Sequence, residues 1–194
     1  MSGTQPLSQL DPAKLALVRY PHPVLRGKTR PVEDFGEALD CVARRMLDLM
    51  RANKGVGLAA PQVGLSLRLF VCNDTGNEGD DLICVNPTLM NPDGEVEADE
   101  GCLSIPGVTV PMRRAARITL LAQDVLGRPF ERRADDLLSR IFQHEYDHLV
   151  GRLILDGMSE AVRLENRRAI RTLEEEYKRS VEARPRGAKP TARR

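Results

Sequence analysis

His144-Glu145-Tyr146-Asp147-His148 is the stretch of sequence from which the rest of the chain can be interpreted. Leu137 and Ile141 precede it, so apolar and histidine side chains recur at helical spacing. On a helix, positions i and i+4 lie one above the other, so both imidazoles can reach one metal ion. Glu145 projects from the neighbouring face, where a carboxylate can exchange a proton with a water that the ion acidifies. The stretch therefore predicts a helix that carries a catalytic metal site.

The third ligand of such a site is not another histidine. His22, the only other one, lies in Tyr20-Pro21-His22-Pro23 and is predicted to be a turn residue. Ile154 stands where a metzincin peptidase would place its third histidine, and no downstream glutamate lies in a recognisable zinc-peptidase setting. Cys102, in the polar segment Glu100-Gly101-Cys102-Leu103-Ser104, is the better candidate. Three protein ligands leave one position open for water, which is the catalytic arrangement.

Composition limits the kinds of protein that the chain can be. Its 194 residues suit one domain, and 41% hydrophobic with 29% charged residues indicates a globular protein. The net charge of +1 and the absence of Trp argue against a general nucleic-acid or membrane binder, and no DNA or membrane partner is expected. No apolar run approaches the roughly 18 residues of a membrane span. We therefore expect a cytoplasmic protein with reduced thiols, in which Cys41, Cys72 and Cys84 are small buried residues.

The order of the patterns predicts an α+β fold. Residues 1–10 read as a loose tail, and Asp34 with Glu37 resembles a capping box that opens a helix ending near Asn53. Five short strands follow, with turns and no long helical pattern between them, at residues 67–72, 82–85, 108–110, 118–122 and 129–132. Helices at about 135–150 and 159–182 complete the chain. We expect antiparallel or mixed sheets packed around the central metal-binding helix, with a C-terminal helix, in one domain spanning residues 1–183.

Three motifs of the chain belong together. They are Gly55-Val56-Gly57-Leu58-Ala59-Ala60-Pro61-Gln62, then Glu100-Gly101-Cys102-Leu103-Ser104, then Gln143-His144-Glu145-Tyr146-Asp147-His148. Taken together, they resemble the peptide deformylase family in its compact bacterial form. They occur in the family's order, and the similarity extends from about Leu17 through Asp156. The resemblance implies an enzyme that hydrolyses the N-terminal formyl group from formyl-methionine of nascent proteins and releases formate.

The resemblance also implies a role for each matching residue. Cys102, His144 and His148 would hold the metal, and Glu145 would act as the general base that later protonates the leaving amine. Gln62 and the backbone N–H of Leu103 would stabilise the oxyanion. A further set would contact the substrate, with Gly57 doing so through its backbone, and it comprises Val56, Gly57, Glu100, Leu137 and Ile141. Thr109 and Arg140 depart from some relatives at the substrate cleft.

The metal and the partners are less closely specified. Soft ligands alone suggest zinc, whereas the resemblance suggests Fe²⁺ in cells, with Zn²⁺, Ni²⁺ or Co²⁺ able to substitute. Residues 166–194 hold ten basic and four acidic residues, a net of +6, so residues 1–165 carry −5. The basic end, of which residues 184–194 are expected to be disordered, is either a solvated tail behind a packed helix or a segment that binds the ribosome.

Two alternatives to an active deformylase remain at this point. A structural metal domain would close the site with a fourth protein ligand. The position of Glu145 between the two histidines would then have no explanation. A catalytically inactive relative would act as a binding protein, but Gln62 and Glu145 are both present.

Overall fold

The computed structural model describes residues 6–77 and 79–183 and shows an α+β architecture. The helices are α1 (Glu37–Ala52), α2 (Asp136–Leu149) and α3 (Glu160–Glu182). The strands are β1 (Gly57–Ala59), β2 (Leu69–Cys72), β3 (Leu82–Asp93), β4 (Val96–Glu100), β5 (Val110–Arg114), β6 (Arg117–Gln123) and β7 (Pro129–Asp135). The predicted fold class, with a central metal-binding helix and a C-terminal helix, is confirmed.

Two antiparallel sheets form the framework. One has five strands in the order β1-β2-β3-β6-β7, and the other is the β4-β5 hairpin. The absence of long helical patterns between the strands predicted this direction of pairing, because antiparallel neighbours need only short connections. β1 and β4 were not predicted, and β3 continues to Asp93, eight residues beyond the predicted end of that strand at residue 85. The hairpin matters most, because the cysteine segment follows directly from β4.

Helix α2 lies against the five-stranded sheet and contacts its strands. Its apolar face buries Leu138, Ile141 and Phe142 against residues of the sheet that include Phe70 and Leu120. Each large apolar side chain that is fully buried contributes about 1.5–3 kcal/mol to the stability of the folded state. The histidines share this helix, so the packing of α2 on the sheet also fixes the position of the metal ligands.

The N-terminal part of the chain differs from two expectations. Leu7 is buried in the core beneath α1, so the described part of the predicted loose tail, residues 6–10, packs on the body. Residues 1–5 lie outside the described residues. The predicted capping box at Asp34 is wrong: the N-cap of α1 is Gly36, at φ 109°, and no side chain caps the helix. Gly36 has a positive φ that favours glycine, and α1 begins after it at Glu37, three residues beyond Asp34.

Helix α3 packs through part of one face only. Ile170 and Leu173 are buried, whereas Val181, farther along the helix, is 44% exposed. Asn166 joins the helix to the rim of the site, since its side-chain amide donates to Thr109 O at 3.1 Å and its oxygen accepts from Thr109 N at 3.3 Å. Within residues 6–77 and 79–183, no helix is long and apolar enough to cross a bilayer.

Candidate metal centre

The three predicted metal ligands converge on one point. His144 and His148 are one turn apart on α2, and Cys102 approaches them from the segment that follows β4. One ligand atom from each lies within 4.8 Å of the other two, and Cys102 Sγ is 3.4 Å from His148 Nε2. His148 is buried, and His144 is nearly so. This spacing and donor set fit a single transition-metal ion.

The described residues offer no fourth protein ligand to this cluster, which contains Cys102, His144 and His148 alone. Ile154, at the position where a metzincin would carry its third histidine, is 3% exposed and packs in the core behind the site. A closed structural zinc site requires four protein ligands. The geometry therefore favours a site that leaves one position open for water or substrate.

The electrostatics of the histidines favour a bound cation. Burial lowers the pKa of His144, but its interactions with Cys102 and Glu100 outweigh burial and raise that pKa to about 10. Burial also lowers the pKa of His148, and the charges of His144 and Arg114 lower it further. His144 thus lies among negatively charged partners, and His148 stays neutral. The surroundings of the two histidines therefore favour a positive charge at this position, which a divalent ion supplies.

Glu145 lies beside the cluster and has the properties of a general base. It is 4% exposed, and burial raises the pKa of its carboxyl to about 7. Its Oε2 is buried and has no hydrogen-bond partner among the described residues. A pKa near neutrality is the optimum for proton transfer at neutral pH, and the unpaired oxygen can accept a proton from a water or substrate group.

Gly57 makes room for that carboxylate. A Cβ added to Gly57 would lie 2.3 Å from Glu145 Oε1, well inside van der Waals contact. β1 therefore requires glycine here for steric reasons, independently of any substrate contact.

Gln62 and Leu103 lie where an oxyanion would need donors. The side-chain oxygen of Gln62 accepts from the backbone N–H of Ala59 at 2.8 Å, which directs its Nε2 to within 3.4 Å of Cys102 Sγ. Gln62 is only 1% exposed, so the amide is held in one orientation. The backbone N–H of Leu103, next to Cys102, meets no acceptor among the described residues. Both donors are thus available at the edge of the metal cluster.

Glu100, predicted among the substrate-binding residues, lines the cavity beside the metal cluster. Both of its carboxylate oxygens also accept hydrogen bonds from protein donors. Oε1 accepts from Arg114 at 3.0 Å and from Arg140 at 2.7 Å, and Oε2 accepts from Arg114 at 2.9 Å and contacts His144 Nδ1 at 3.0 Å. Asp147 completes the network by accepting from Arg114 at 2.6 Å. Glu100 therefore orients the metal ligand His144. A histidine that binds a metal through one ring nitrogen commonly contacts a carboxylate through the other, and this contact fixes the orientation of the ring.

The sequence showed no role for two members of this network. Arg114 was not singled out, and Arg140 was noted only as a departure at the cleft. Arg140 is buried on α2, and besides Glu100 it donates to the carbonyls of Val96, Ala98 and Met112. It therefore ties the β4-β5 hairpin to the helix that carries the histidines. Two arginines and a Glu-Gly-Cys segment could have suggested a buried ionic network, but nothing in their spacing paired them.

The cluster opens into a cavity of about 480 Å³. The predicted substrate-binding residues all line it: Val56, Gly57, Glu100, Leu137 and Ile141. Val56 and Leu137 are exposed, as expected of a cleft that has an open mouth, whereas Ile141 is buried. Of the remaining cysteines, Cys72 and Cys84 are buried as predicted, but Cys41 is exposed and that prediction is wrong.

Comparisons with known proteins agree on one family. The family model for polypeptide deformylase matches residues 14–164. The peptide deformylase of Dictyoglomus turgidum is 45% identical over 134 residues, which cover 69% of this chain and 86% of that protein. The crystal structure of a peptide deformylase from Legionella pneumophila is 38% identical, with a TM-score of 0.78, and covers 88% of this chain and 99% of that one. A plant peptide deformylase structure reaches a TM-score of 0.83 at 38% identity, over 89% and 95% of the two chains. The chain belongs to the polypeptide deformylase family.

Proposed function

We propose that this chain is a peptide deformylase that hydrolyses the formyl amide of N-formylmethionyl peptides with the help of one divalent metal ion. The observation that carries the proposal is the juxtaposition of a three-ligand Cys-His-His cluster, without a fourth protein ligand among the described residues, and the buried carboxylate of Glu145. A structural metal site would have no use for this carboxylate, and an inactive relative would have no reason to retain it together with Gln62.

Cys102, His144 and His148 would hold the ion. When bound, the ion supplies a water nucleophile that is acidic enough to react at neutral pH. Glu145 takes the proton of that nucleophile through its unpaired Oε2, and the raised pKa of its carboxyl makes this transfer nearly balanced in energy.

Negative charge then develops on the formyl oxygen. Gln62 Nε2 and the backbone N–H of Leu103 donate to that oxygen, and both are fixed before the reaction begins. As the C–N bond breaks, Glu145 returns its proton to the departing amine nitrogen, so formate and a free N-terminal methionine are released. The carboxyl group thus acts as base and then as acid in one cycle.

Substrate specificity would come from the cavity walls. Val56, Leu137 and Ile141 provide apolar surface that suits a methionine side chain. Gly57 in β1 lines the cavity and has no side chain, so an extended peptide can approach its backbone closely. Formyl is the smallest acyl group, and Glu145 and Gln62 crowd the metal cluster in a way that disfavours larger ones.

We further propose Fe²⁺ as the ion in cells, with Zn²⁺, Ni²⁺ or Co²⁺ able to occupy the same ligands. A thiolate and two imidazoles accept all four ions. Ferrous iron beside a thiolate is sensitive to oxygen. Aerobic purification should therefore lower both activity and iron content, and anaerobic loading with Ni²⁺ should preserve activity in air. Iron enzyme that keeps full activity in air for days would contradict the assignment.

The proposed partners are nascent formylated chains in the cytoplasm, and the enzyme would meet them at the ribosome. Similarity to bacterial deformylases supports this setting. The basic end of the chain, residues 166–194, is the segment proposed to contact the ribosome, and its residues 184–194 lie outside the described residues.

The experiment that tests the function is formate release from formyl-Met-Ala-Ser, with metal content measured on the same anaerobic sample. Glu145→Gln keeps the shape of the side chain but removes the base, so we expect metal stoichiometry near that of the wild type and turnover lowered by about 10²-fold or more. Absence of formate release by the metal-loaded wild type would overturn the function. Full turnover by metal-loaded Glu145→Gln would overturn the mechanism.

A further inference from the structure

The cavity that contains the metal cluster has two kinds of charged side chain. Besides Cys102, six ionisable residues line it. Four of them are committed to the site itself. Glu100 is bonded to Arg140 and His144, and Glu145 is buried against Gly57. The remaining two, Lys54 and Asp99, are exposed, and they are the charges that a substrate can meet beyond the metal centre.

Lys54 and Asp99 have no charged partner in the described part of the chain. No ion pair or side-chain hydrogen bond joins either of them to another residue within 6–77 and 79–183. Lys54 follows α1, where its backbone N–H donates to Arg51 O at 2.9 Å. Asp99 is in β4 next to Glu100, and because successive side chains in a strand point to opposite faces, it points away from the buried ionic network.

The two charges belong to different segments of the cavity lining, called its two walls below. Lys54 is in residues 54–57, which lead from α1 into β1, and Asp99 is in residues 99–103, which lead out of β4. The two segments approach each other closely, since a Cβ on Gly55 would be 2.6 Å from Leu103 Cδ1. A peptide whose formyl group is at the metal leaves through this cavity and passes a cation on one wall and an anion on the other.

We propose that Lys54 and Asp99 select substrates by the charges of the two residues that follow formyl-methionine. The proposal rests on the deformylase function stated above. An extended peptide directs successive side chains to opposite sides, so these two residues face different walls. A peptide with opposite charges at the two positions therefore matches the walls in one order and opposes them in the other.

Two isomeric peptides test this directly. Formyl-Met-Glu-Lys-Ala and formyl-Met-Lys-Glu-Ala have the same composition and net charge, so general electrostatic attraction is equal for both. The kcat/KM ratio of the two isomers should depart from one by about two- to fivefold, which is the range of exposed charge pairs. The ratio should approach one near 1 M salt, where the screening length falls to about 3 Å. Formyl-Met-Gln-Gln-Ala is the neutral reference, and its turnover tests the deformylase function separately.

The double variant Lys54→Glu with Asp99→Lys exchanges the charges of the two walls and should invert the preference between the isomers. Lys28→Glu makes the same charge change at an exposed lysine that does not line the cavity, and it should leave the ratio as in the wild type. A wild-type ratio of about one at low salt, or a ratio that the double variant leaves unchanged, would overturn the proposal. Turnover of the neutral peptide in either case would leave the deformylase function standing.

Discussion

Replacing Glu100 by alanine should destabilise the fold and weaken the metal site at the same time. Glu100 is 8% exposed and accepts three hydrogen bonds from Arg114 and Arg140, besides its contact with His144. Burial raises the pKa of this carboxyl, but hydrogen bonds from His144 and Arg114 outweigh burial and hold the pKa at about 2. Compared with an ordinary value near 4.5, this corresponds to about 3 kcal/mol in favour of the carboxylate.

Removal of one partner from a buried ionic network costs about 3–5 kcal/mol, because the remaining charges stay buried. In a chain of this size, each kcal/mol lowers the Tm by about 2–4 °C, so the Glu100→Ala variant should melt about 6–20 °C below the wild type. Loss of a group that orients a ligating histidine weakens metal affinity by about 10- to 100-fold. Thermal melts and competition titration with a metal chelator measure the two effects.

Glu97→Ala is the matched control. Glu97 is also on β4, but it is exposed and pairs with Arg113, which is exposed as well, so its loss should cost about 1 kcal/mol or less. Because the pKa of Glu100 is lowered in the folded protein, its carboxylate contributes to the free energy of unfolding above about pH 4.5. This contribution is lost as the pH falls towards 2. The stability difference between the wild type and Glu100→Gln should therefore shrink over that interval. A Glu100→Ala protein with wild-type Tm and metal affinity would refute the argument.

Two further predictions concern the metal centre. In Gly57→Ala, the new methyl group displaces Glu145, so turnover should fall by about 10²-fold with metal content intact. Gly101→Ala is the control, because its Cβ would meet nothing closer than 3.9 Å. This control should keep its metal content and at least ten times the turnover of Gly57→Ala. Cys102→Ser should lose metal because a hydroxyl is a poorer ligand than a thiolate, whereas Cys41→Ser, at an exposed thiol, should keep wild-type stoichiometry by elemental analysis. Metal retained in Cys102→Ser, or wild-type turnover in Gly57→Ala, would contradict the site described here.

The features best predicted from sequence are those encoded within one element. The helical period through Leu137, Ile141, His144 and His148 identified α2 and its two ligands, because an i, i+4 pair is fixed by helix geometry alone. The class of fold followed from the short turns between apolar segments. The third ligand, Cys102, needed elimination of other candidates, since nothing local places a loop cysteine beside a helix 42 residues later.

Contacts between elements could not be predicted in the same way. β4 reads Val-Glu-Ala-Asp-Glu, in which three of the five residues are acidic and only Val96 has a large apolar side chain, a composition that is unfavourable for a strand. It forms a strand by pairing with β5. The ionic partners of Glu100 were not predicted for the same reason, because Arg114 and Arg140 come from two other elements. Charged residues are seldom buried unless they are paired, and the pairing is a property of the tertiary structure.

The last prediction concerns the C-terminus, where the structure determines the residue after which the chain should be truncated. Truncation after Glu165 would remove Ile170 and Leu173, which are 9% and 5% exposed, and with them Asn166, which holds Thr109 at the cavity rim. Any loss of ribosome binding in that variant would be confounded with damage to the fold.

Truncation after Ala183 avoids this problem. It removes five basic residues and no acidic ones from the end of the chain, and it leaves α3 intact. The shortened enzyme should keep the wild-type Tm and formate release, because its core and metal centre are unchanged. If the basic tail binds ribosomal RNA, co-sedimentation with ribosomes should weaken in the truncated enzyme at low salt, and binding by the full chain should fall steeply as salt rises, because bound counterions are released on association. Residues 166–183, with five basic and four acidic residues, are almost neutral, so most of the charge available for such binding lies beyond Ala183. Equal co-sedimentation of the two folded enzymes would show that the tail does not anchor this enzyme to the ribosome.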